Sequence, residues 1–160
     1  MEADLFINLP KLKTHFEVGM TVSLKSLIGC LVGLKNKKKT HQNLAKNILN
    51  LNKKIKPHLQ IVDGLIAMEG LGSSRGKPVN IGVVLIGKDP FLVDMACARL
   101  AMFDYKKIHT LRLAEEMGHI THEHNEFLNS LKLEGLQKKF EPPKPSILAR
   151  FFHHPKRQRF

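Results

Sequence analysis

An uninterrupted apolar run, VNIGVVLIG over residues 79–87, places the strongest constraint on the fold of this chain. It is rich in β-branched residues and bounded by turn signals, which is typical of a central strand covered on both faces. A helix signal follows at once, because Asp89 is a favourable N-cap residue and Pro90 a favourable first helical residue. A buried strand that leads directly into a helix indicates an α/β fold.

The other elements also alternate between strand and helix. The pattern predicts a strand over residues 4–8 that ends at Pro10, and a short buried strand over 58–64 that ends at Asp63 and Gly64. Helical spacing predicts further helices over residues 20–35, 42–55 and 107–117, and loops over residues 35–41, 65–78 and 118–124. Three strands are few for a doubly wound sheet. We therefore predict a layered α/β fold with a mostly parallel sheet, with an incomplete domain as the alternative.

One domain accounts for most of the chain. With 160 residues, 42% of them hydrophobic, the chain is long enough to form a core, and we place a single α/β domain over residues 1–137. Residues 138–160 are basic and rich in proline and predict a disordered tail. No apolar run reaches the roughly 18 residues of a membrane helix, and a secretory signal is not evident. Cys30 and Cys97 lie in apolar stretches, so we expect free thiols and a cytoplasmic location.

The net charge of +12 raises the alternative of a nucleic-acid-associated protein. The distribution of the charge counts against it, because half of the excess lies in residues 138–160 and another cluster lies at Lys35–Lys39. Aromatic residues that stack on bases are sparse, with one Tyr and no Trp. Solvated basic segments are therefore the favoured interpretation, and nucleic acid is the alternative partner.

Two stretches come close to known motifs without matching them. The glycine-rich stretch around Gly70, Gly72 and Gly76 has neither P-loop nor GxGxxG spacing, and it leads into a strand instead of a helix. The histidines of GHITHEH, residues 118–124, fit neither HExxH nor a structural zinc pattern. We interpret the glycine-rich stretch as a lid-like or flexible loop and the histidine-rich stretch as a polar loop.

Basic side chains follow the end of the first predicted strand, in the segment PKLKTH. Lys11, Lys13 and His15 lie there at alternate positions, and Thr21 and Lys25 share one face of the next predicted helix. Ligands of open α/β sheets bind beyond the carboxyl ends of the strands. The lysines and the histidine therefore predict a site for a small anionic ligand such as a carboxylate or a phosphate. His15 is the candidate catalytic acid or base, because the ordinary pKa of histidine lies near neutral pH.

Three aspartates are expected at the same edge of the sheet. Asp63 ends the second predicted strand, and Asp89 and Asp94 follow the third. Carboxylates are the ligands that hard divalent cations prefer, so the three predict a metal site, with a cation such as Mg²⁺ bridging to the anion. Each aspartate taken alone has a structural interpretation, as a helix cap or a turn residue. The metal hypothesis therefore depends on all three lying together.

Three ordered blocks of sequence resemble the domain of unknown function 362 family. They are ADLFINLPKLKTHFEVGMTVSLKSLIGCLVGLK, QIVDGLIAMEGLGSSRGKP and GKDPFLVDMACARLAM, and the likeness extends over about residues 3–118. The positions that match the family pattern are Lys11, Lys13, Thr14, His15, Thr21, Lys25, Asp63, Gly64, Gly70, Gly72, Gly76, Asp89 and Asp94. The resemblance implies ligand-binding roles for Gly70, Gly72 and Gly76 beside the lysines and Thr21.

The family resemblance also implies features that this chain does not supply by itself. Many members carry a ferredoxin-like module, but a [4Fe–4S] cluster needs four cysteines and this chain has two. We therefore expect no iron–sulfur cluster from this chain alone, and the resemblance implies an iron–sulfur partner protein and a redox-associated enzymatic role. The family domain has a further N-terminal stretch, from which we expect a truncated domain. A non-functional remnant is the third interpretation.

Overall fold

The computed structural model describes residues 4–72 and 75–143, which form a sheet with helices packed against it. The strands are β1 (Ile7–Asn8), β2 (Lys11–His15), β3 (Gly19–Thr21), β4 (Leu59–Glu69) and β5 (Lys77–Gly87). The α-helices are α1 (Ser23–Ser26), α2 (Leu34–Thr40), α3 (Leu44–Lys54), α4 (Pro90–Leu100), α5 (His109–Glu116) and α6 (His122–Ser130). Short 3₁₀ helices span Leu27–Cys30, His41–Asn43 and Tyr105–Lys107.

Strand β4 is the centre of the sheet. Along one edge it pairs in parallel with β1, where Ile7 faces Leu59, and with β2, where Lys11 faces Asp63. Pro10 separates β1 from β2 because it has no N–H to donate, but its carbonyl accepts the N–H of Asp63 at 2.8 Å. Strand β3 pairs antiparallel with β2, and β5 pairs antiparallel with the other edge of β4. Three of the five described strands thus run in the same direction, and the predicted α/β fold is confirmed.

Strand β5 is not the central strand that its sequence predicts. Among the described strands it pairs with β4 alone, and it leaves Val84 48% and Ile86 66% exposed. The prediction is wrong because a run without polar alternation is typical of a strand covered on both faces, whereas in β5 only alternate residues face the core. Because β5 runs antiparallel to β4, Gly87 faces Gln60. The carboxyl end of β5 therefore lies beside the start of β4. The carboxyl ends of β2 and β4 lie at the opposite ends of the strands.

Strands β4 and β5 are longer than predicted and form a hairpin. Half of residues 65–78, predicted as a long loop, lie in these two strands, namely residues 65–69 and 77–78. Residues 73 and 74 of that predicted loop lie outside the described residues. Asp63 is consequently in the middle of β4 and not at its end. A β-bulge after Gly64 shifts the register, and Gly82 of β5 adopts a φ of +74° across from it. Such bulges increase the twist of a hairpin, and glycine tolerates the left-handed conformation.

The core lies between one face of the sheet and the helices. Leu12 of β2 and Val62 of β4 are completely buried on that face. Helix α3 lies within the predicted range 42–55, and α4 begins as predicted, with Asp89 Oδ1 accepting the N–H of Phe91 at 2.7 Å. Gly118 follows α5 with a φ of +73°, as its predicted C-terminal position requires.

Residues 20–35, predicted as one helix, are divided among several elements. Thr21 belongs to β3 and Lys25 to α1, so the two do not share a helix face. Helix α1 begins where it does because the buried carboxylate of Asp94 accepts the N–H of Ser23 at 2.8 Å. That contact joins residues 71 positions apart, so no local sequence pattern predicts it.

Two predicted loops are helical. The lysine cluster Lys35–Lys39 lies in α2, where lysines near the carboxyl end interact favourably with the helix dipole. The histidine-rich segment 118–124 leads into α6, which begins with a capping box formed by Thr121 and His124. The predicted polar loop therefore ends at a helix start signal that uses histidine in place of glutamate.

The packed part of the chain extends past the predicted domain boundary at residue 137. Phe140 is 3% exposed and lies edge-on to Phe103, with ring centroids 6.2 Å apart. The prediction of a disordered tail is therefore wrong for residues 138–140. Residues 144–160 of that predicted tail lie outside the described residues.

Candidate functional site

Strands β2 and β3 bring three of the predicted site residues to one face of the sheet. Alternate residues of a strand point to the same face, so Lys13 and His15 lie on the face opposite to the core residue Leu12. Lys13 faces Thr21 in the antiparallel pairing, which places Thr21 on that face as well. His15 and Thr21 are buried and Lys13 is half-buried. We refer to Lys13, His15, Thr21 and the neighbouring Lys25 as the cationic cluster.

Lys25 of α1 acts electrostatically on the strand residues. Burial is the main cause that lowers its pKa, followed by the positive charge of Lys13, while Glu17 opposes both. A lysine whose pKa is lowered by burial and by a second lysine is one whose charge lacks full compensation. The two ammonium groups are therefore close enough to repel each other within a partly buried site.

His15 is held in its neutral form. The side chain is 3% exposed, and burial, followed by the positive charge of Lys25, lowers its pKa from 6.5 to about 3. Its Nδ1 accepts the N–H of Glu17 at 3.3 Å and, more weakly, that of Val18 at 3.5 Å. The ring proton must therefore lie on Nε2, which is a hydrogen-bond donor at neutral pH. The ordinary pKa near neutrality, on which the acid–base prediction for His15 rests, is not retained in the folded chain, because burial and the charge of Lys25 disfavour the charged ring.

Thr21 has a buried hydroxyl without a hydrogen-bond partner among the described residues. Leaving a buried donor unpaired costs about 1–3 kcal/mol, so native structures usually satisfy such groups. The hydroxyl lies on the face of Lys13 and His15, where a ligand oxygen or a water molecule would satisfy it.

Glu17 and His41 complete the surroundings, and neither is among the residues predicted from the sequence. His41 Nδ1 lies 3.6 Å from Oε2 of Glu17, and His41 also contributes to the lowered pKa of His15. Glu17 lies two residues after His15. Its closeness to His15 could therefore have been predicted from the sequence. His41 lies in a predicted lysine-rich loop, and only the packing of its 3₁₀ helix brings it to the cluster.

Lys11 lies on the same face but is already engaged. Its Nζ is 2.7 Å from Oδ2 of Asp63 and donates a hydrogen bond to the carbonyl of Ile66 at 2.8 Å. The hydrogen bond from Lys11 is the main cause that lowers the pKa of Asp63. Lys11 therefore already has an anionic partner within the protein.

The three aspartates predicted to bind a metal do not come together. Asp63 lies within β4, Asp89 caps α4 at the opposite edge of the sheet, and Asp94 is buried against α1. The prediction is wrong because β5 runs antiparallel and carries the start of α4 away from the ends of β2 and β4. Burial also raises the pKa of Asp94 to about 7, which disfavours the carboxylate form that a metal requires. Within residues 4–72 and 75–143, no three His, Cys, Asp or Glu side chains are grouped to hold a metal ion.

Asp89 instead joins two helix starts. Its Oδ1 accepts N–H groups from the first turn of α4, and its Oδ2 lies 3.1 Å from Nε2 of His124. Nδ1 of His124 in turn lies 2.8 Å from the hydroxyl of Thr121, the N-cap of α6. The aspartate and the histidine thus connect α4 with α6.

The glycines of the predicted ligand loop are needed for close packing. A Cβ atom on Gly72 would lie 2.1 Å from the carbonyl oxygen of Thr14, and one on Gly76 would lie 2.3 Å from that of Glu69. Gly70 has a φ of +72°, and its carbonyl accepts the hydroxyl of Thr14 at 3.0 Å. Close packing against β2 and β4 therefore accounts for Gly72 and Gly76, and the left-handed backbone conformation accounts for Gly70. The ligand-binding role that the family resemblance implies for them stays a prediction.

The part of the chain that holds the cationic cluster matches a known family. The family model for the domain of unknown function DUF362 matches residues 1–99. This chain belongs to the DUF362 family. The resemblance of its three sequence blocks is thereby confirmed, and the whole cationic cluster lies within the matched DUF362 segment.

A longer relative is also similar to this DUF362 chain. It is the thylakoid-associated protein sll1697 of Synechocystis sp., 35% identical over 125 residues, which make up 74% of this chain and 39% of the relative. The chain thus spans well under half the length of this relative. No solved structure matches the chain. Among the described residues, no helix is both long enough and apolar enough to cross a membrane.

Proposed function

We propose that this DUF362 chain binds a small anionic ligand, a carboxylate or a phosphate, through the cationic cluster. Lys13 and Lys25 would neutralise the ligand's charge, and the Nε2–H of His15 would donate a hydrogen bond to it. The observation that carries this proposal is the placement of Lys13, His15 and the unpartnered hydroxyl of Thr21 on one face of the sheet, where the charge of Lys25 also acts on His15. The positive potential that helps to exclude a proton from this buried ring attracts an anion to the same place.

The surroundings of the cluster support the same ligand chemistry. An anion beside Lys25 would relieve the repulsion from Lys13 that lowers the pKa of Lys25. The unpartnered hydroxyl of Thr21 supplies a further donor on the same face. Charge-assisted hydrogen bonds of this kind are about twice as strong as neutral ones, and they gain from partial burial.

The proposal gives His15 the role of a donor and does not include a divalent cation. An acid–base role for His15 stays a prediction, and it requires the ligand itself to change the histidine. A bound anion would stabilise the protonated ring and raise its pKa from about 3 towards neutrality. Catalysis through His15 would therefore be possible only in the ligand-bound state.

We also propose an iron–sulfur partner protein, which the family resemblance implies. We further propose a cytoplasmic location. The apolar side chains of Val84 and Ile86 in β5 support a protein partner, since about half or more of each is exposed. The free thiols of Cys30 and Cys97 support a reducing compartment. A redox-associated enzymatic role would depend on that partner.

The test is an NMR titration of the full chain with inorganic phosphate, with the carbon-bound ring protons of His15 as the probe. We expect saturable shifts and a rise in the pKa of His15 when phosphate is bound. Lys25→Met should abolish both effects, because it removes one of the two charges that would attract phosphate. Methionine is chosen because its side chain is apolar and of similar length to that of lysine. Lys54→Met, at an exposed position of α3, is the matched control and should behave as the wild type does. Unchanged phosphate binding in Lys25→Met would refute the proposal.

Nucleic-acid binding is the second candidate function, and one observation favours it. Helix α2 exposes Lys35, Lys38 and Lys39 on a short basic surface, and within the described residues none of these lysines forms an ion pair. Binding to phosphates along a strand weakens steeply with salt. Double substitution of Lys38 and Lys39 by alanine should then reduce binding to single-stranded DNA and leave the phosphate titration of His15 unchanged.

A further inference from the structure

A cavity of about 420 Å³ lies on a different part of the fold from the cationic cluster. One wall is the carboxyl end of α3 with the segment that follows it, and the other is the junction between β5 and α4. The cavity is lined by Asn52, Ile55, Lys56, Pro57, Lys88, Asp89, Pro90 and Phe91. Its volume falls within the range of about 300–1,000 Å³ that is usual for small-molecule sites.

The buried end of this cavity carries an unsatisfied acceptor. Asn52 is 9% exposed, and its Nδ2 donates to the carbonyls of Leu24 and Ile48 at 2.8 and 2.9 Å. These two bonds fix the orientation of the amide, and they leave its Oδ1 buried without a partner among the described residues. A ligand group with an N–H donor would complete the hydrogen bonds of Asn52.

An aromatic ring, that of Phe91, also lines the cavity. Phe91 stacks on His119, with ring centroids 5.4 Å apart and planes at 14°. This stacking restrains the Phe91 ring, and together with Ile55, Pro57 and Pro90 it gives the cavity an apolar wall. Planar heteroaromatic groups pack favourably on such a surface.

The exposed end of the cavity is cationic. Lys56 and Lys88 are both exposed, and neither forms an ion pair with a residue in the described ranges. Asp89 also lines the cavity, but Oδ1 of its carboxylate accepts N–H groups of α4 and Oδ2 lies beside His124. The two lysines are therefore available to an anionic group of a ligand.

We propose that this cavity binds a small heteroaromatic anion, of the chemical class of a nucleoside monophosphate. The ring would pack on Phe91, an N–H of the ring system would donate to Oδ1 of Asn52, and the phosphate would lie between Lys56 and Lys88. The buried acceptor, the apolar ring and the exposed lysines all line this one cavity. None of these residues belongs to the cationic cluster.

Adenosine monophosphate is the probe for this site, with calorimetry and the side-chain amide signal of Asn52 as the two readouts. We expect binding that shifts the Asn52 signal, and a weaker affinity for ribose 5-phosphate, which has no ring system to stack. Lys56→Ala with Lys88→Ala should weaken binding by about tenfold, since exposed charge contacts contribute only modestly to affinity. Lys46→Ala with Lys54→Ala removes the same charge from exposed positions of α3 and should leave the affinity unchanged.

Three outcomes would overturn the inference. The first is the absence of binding by the wild type at millimolar adenosine monophosphate. The second is equal affinity for ribose 5-phosphate, which would remove the role of Phe91. The third is loss of binding in Lys25→Met together with normal binding in the Lys56 and Lys88 double variant, which would place the nucleotide at the cationic cluster instead.

Discussion

Replacement of His15 by asparagine should change how the stability of the protein depends on pH. Unfolded histidine binds a proton below about pH 6.5, whereas folded His15 does so only below about pH 3. Between these values the unfolded state holds more protons, so His15 lowers the free energy of unfolding as the pH falls. From about pH 7.5 to about pH 5 the loss amounts to about 2 kcal/mol.

Asp94 acts in the opposite direction over the same range. Its pKa is raised by burial from 3.8 to about 7, so between these values the folded state holds more protons than the unfolded state. The stability contributed by Asp94 therefore increases as the pH falls, by about 2.5 kcal/mol from about pH 7.5 to about pH 5. In the wild type the contributions of His15 and Asp94 nearly cancel.

The assay is urea denaturation of the wild type and His15→Asn at a series of pH values. Asparagine offers an oxygen in place of Nδ1 for the N–H of Glu17 but does not titrate. Relative to the wild type, the variant should gain about 2 kcal/mol of stability on going from about pH 7.5 to about pH 5. Asp94→Asn should show the reverse change. Parallel stability curves for the wild type and His15→Asn would refute the assignment of a strongly lowered pKa to this histidine.

Three substitutions, two of them with a matched control, test the packing of the fold, each measured by urea denaturation at neutral pH. Gly72→Ala should cost about 1–3 kcal/mol, because its Cβ would overlap a carbonyl of β2, whereas Gly29→Ala meets no atom within 4 Å and should cost less than about 0.5 kcal/mol. Asp89→Ala should cost about 1–2 kcal/mol through loss of the N-cap of α4; an unchanged stability would contradict that role. Phe140→Ala should cost about 3–5 kcal/mol, and Phe127→Ala, at a side chain 53% exposed, much less; equal costs would mean that Phe140 does not belong to the core.

Much of the helical structure could be predicted because its signals are local. The apolar stripe of α3, the Asp89–Pro90 start of α4 and the glycine after α5 each act within a few residues of the chain. Lys13 and His15 could also be predicted to lie together, because alternate residues of a strand share a face whatever the strand pairs with.

The tertiary structure alone decided which of the predicted site residues meet. An apolar run has the same composition whether it lies at the centre or the edge of a sheet, so the sequence did not reveal that β5 runs antiparallel. That direction separates Asp89 from Asp63 and removes the predicted metal site. Contacts between distant segments bring Lys25 and His41 to His15, and burial then lowers the pKa of His15 to about 3.

Local sequence patterns therefore sufficed for the fold class and the family, and they placed Lys13 and His15 on one face of a strand. The pairing of strands and the burial of His15 were decided only by tertiary structure. The physical reason is that capping and periodicity depend on neighbouring residues, whereas strand order and local dielectric depend on groups far apart in the chain.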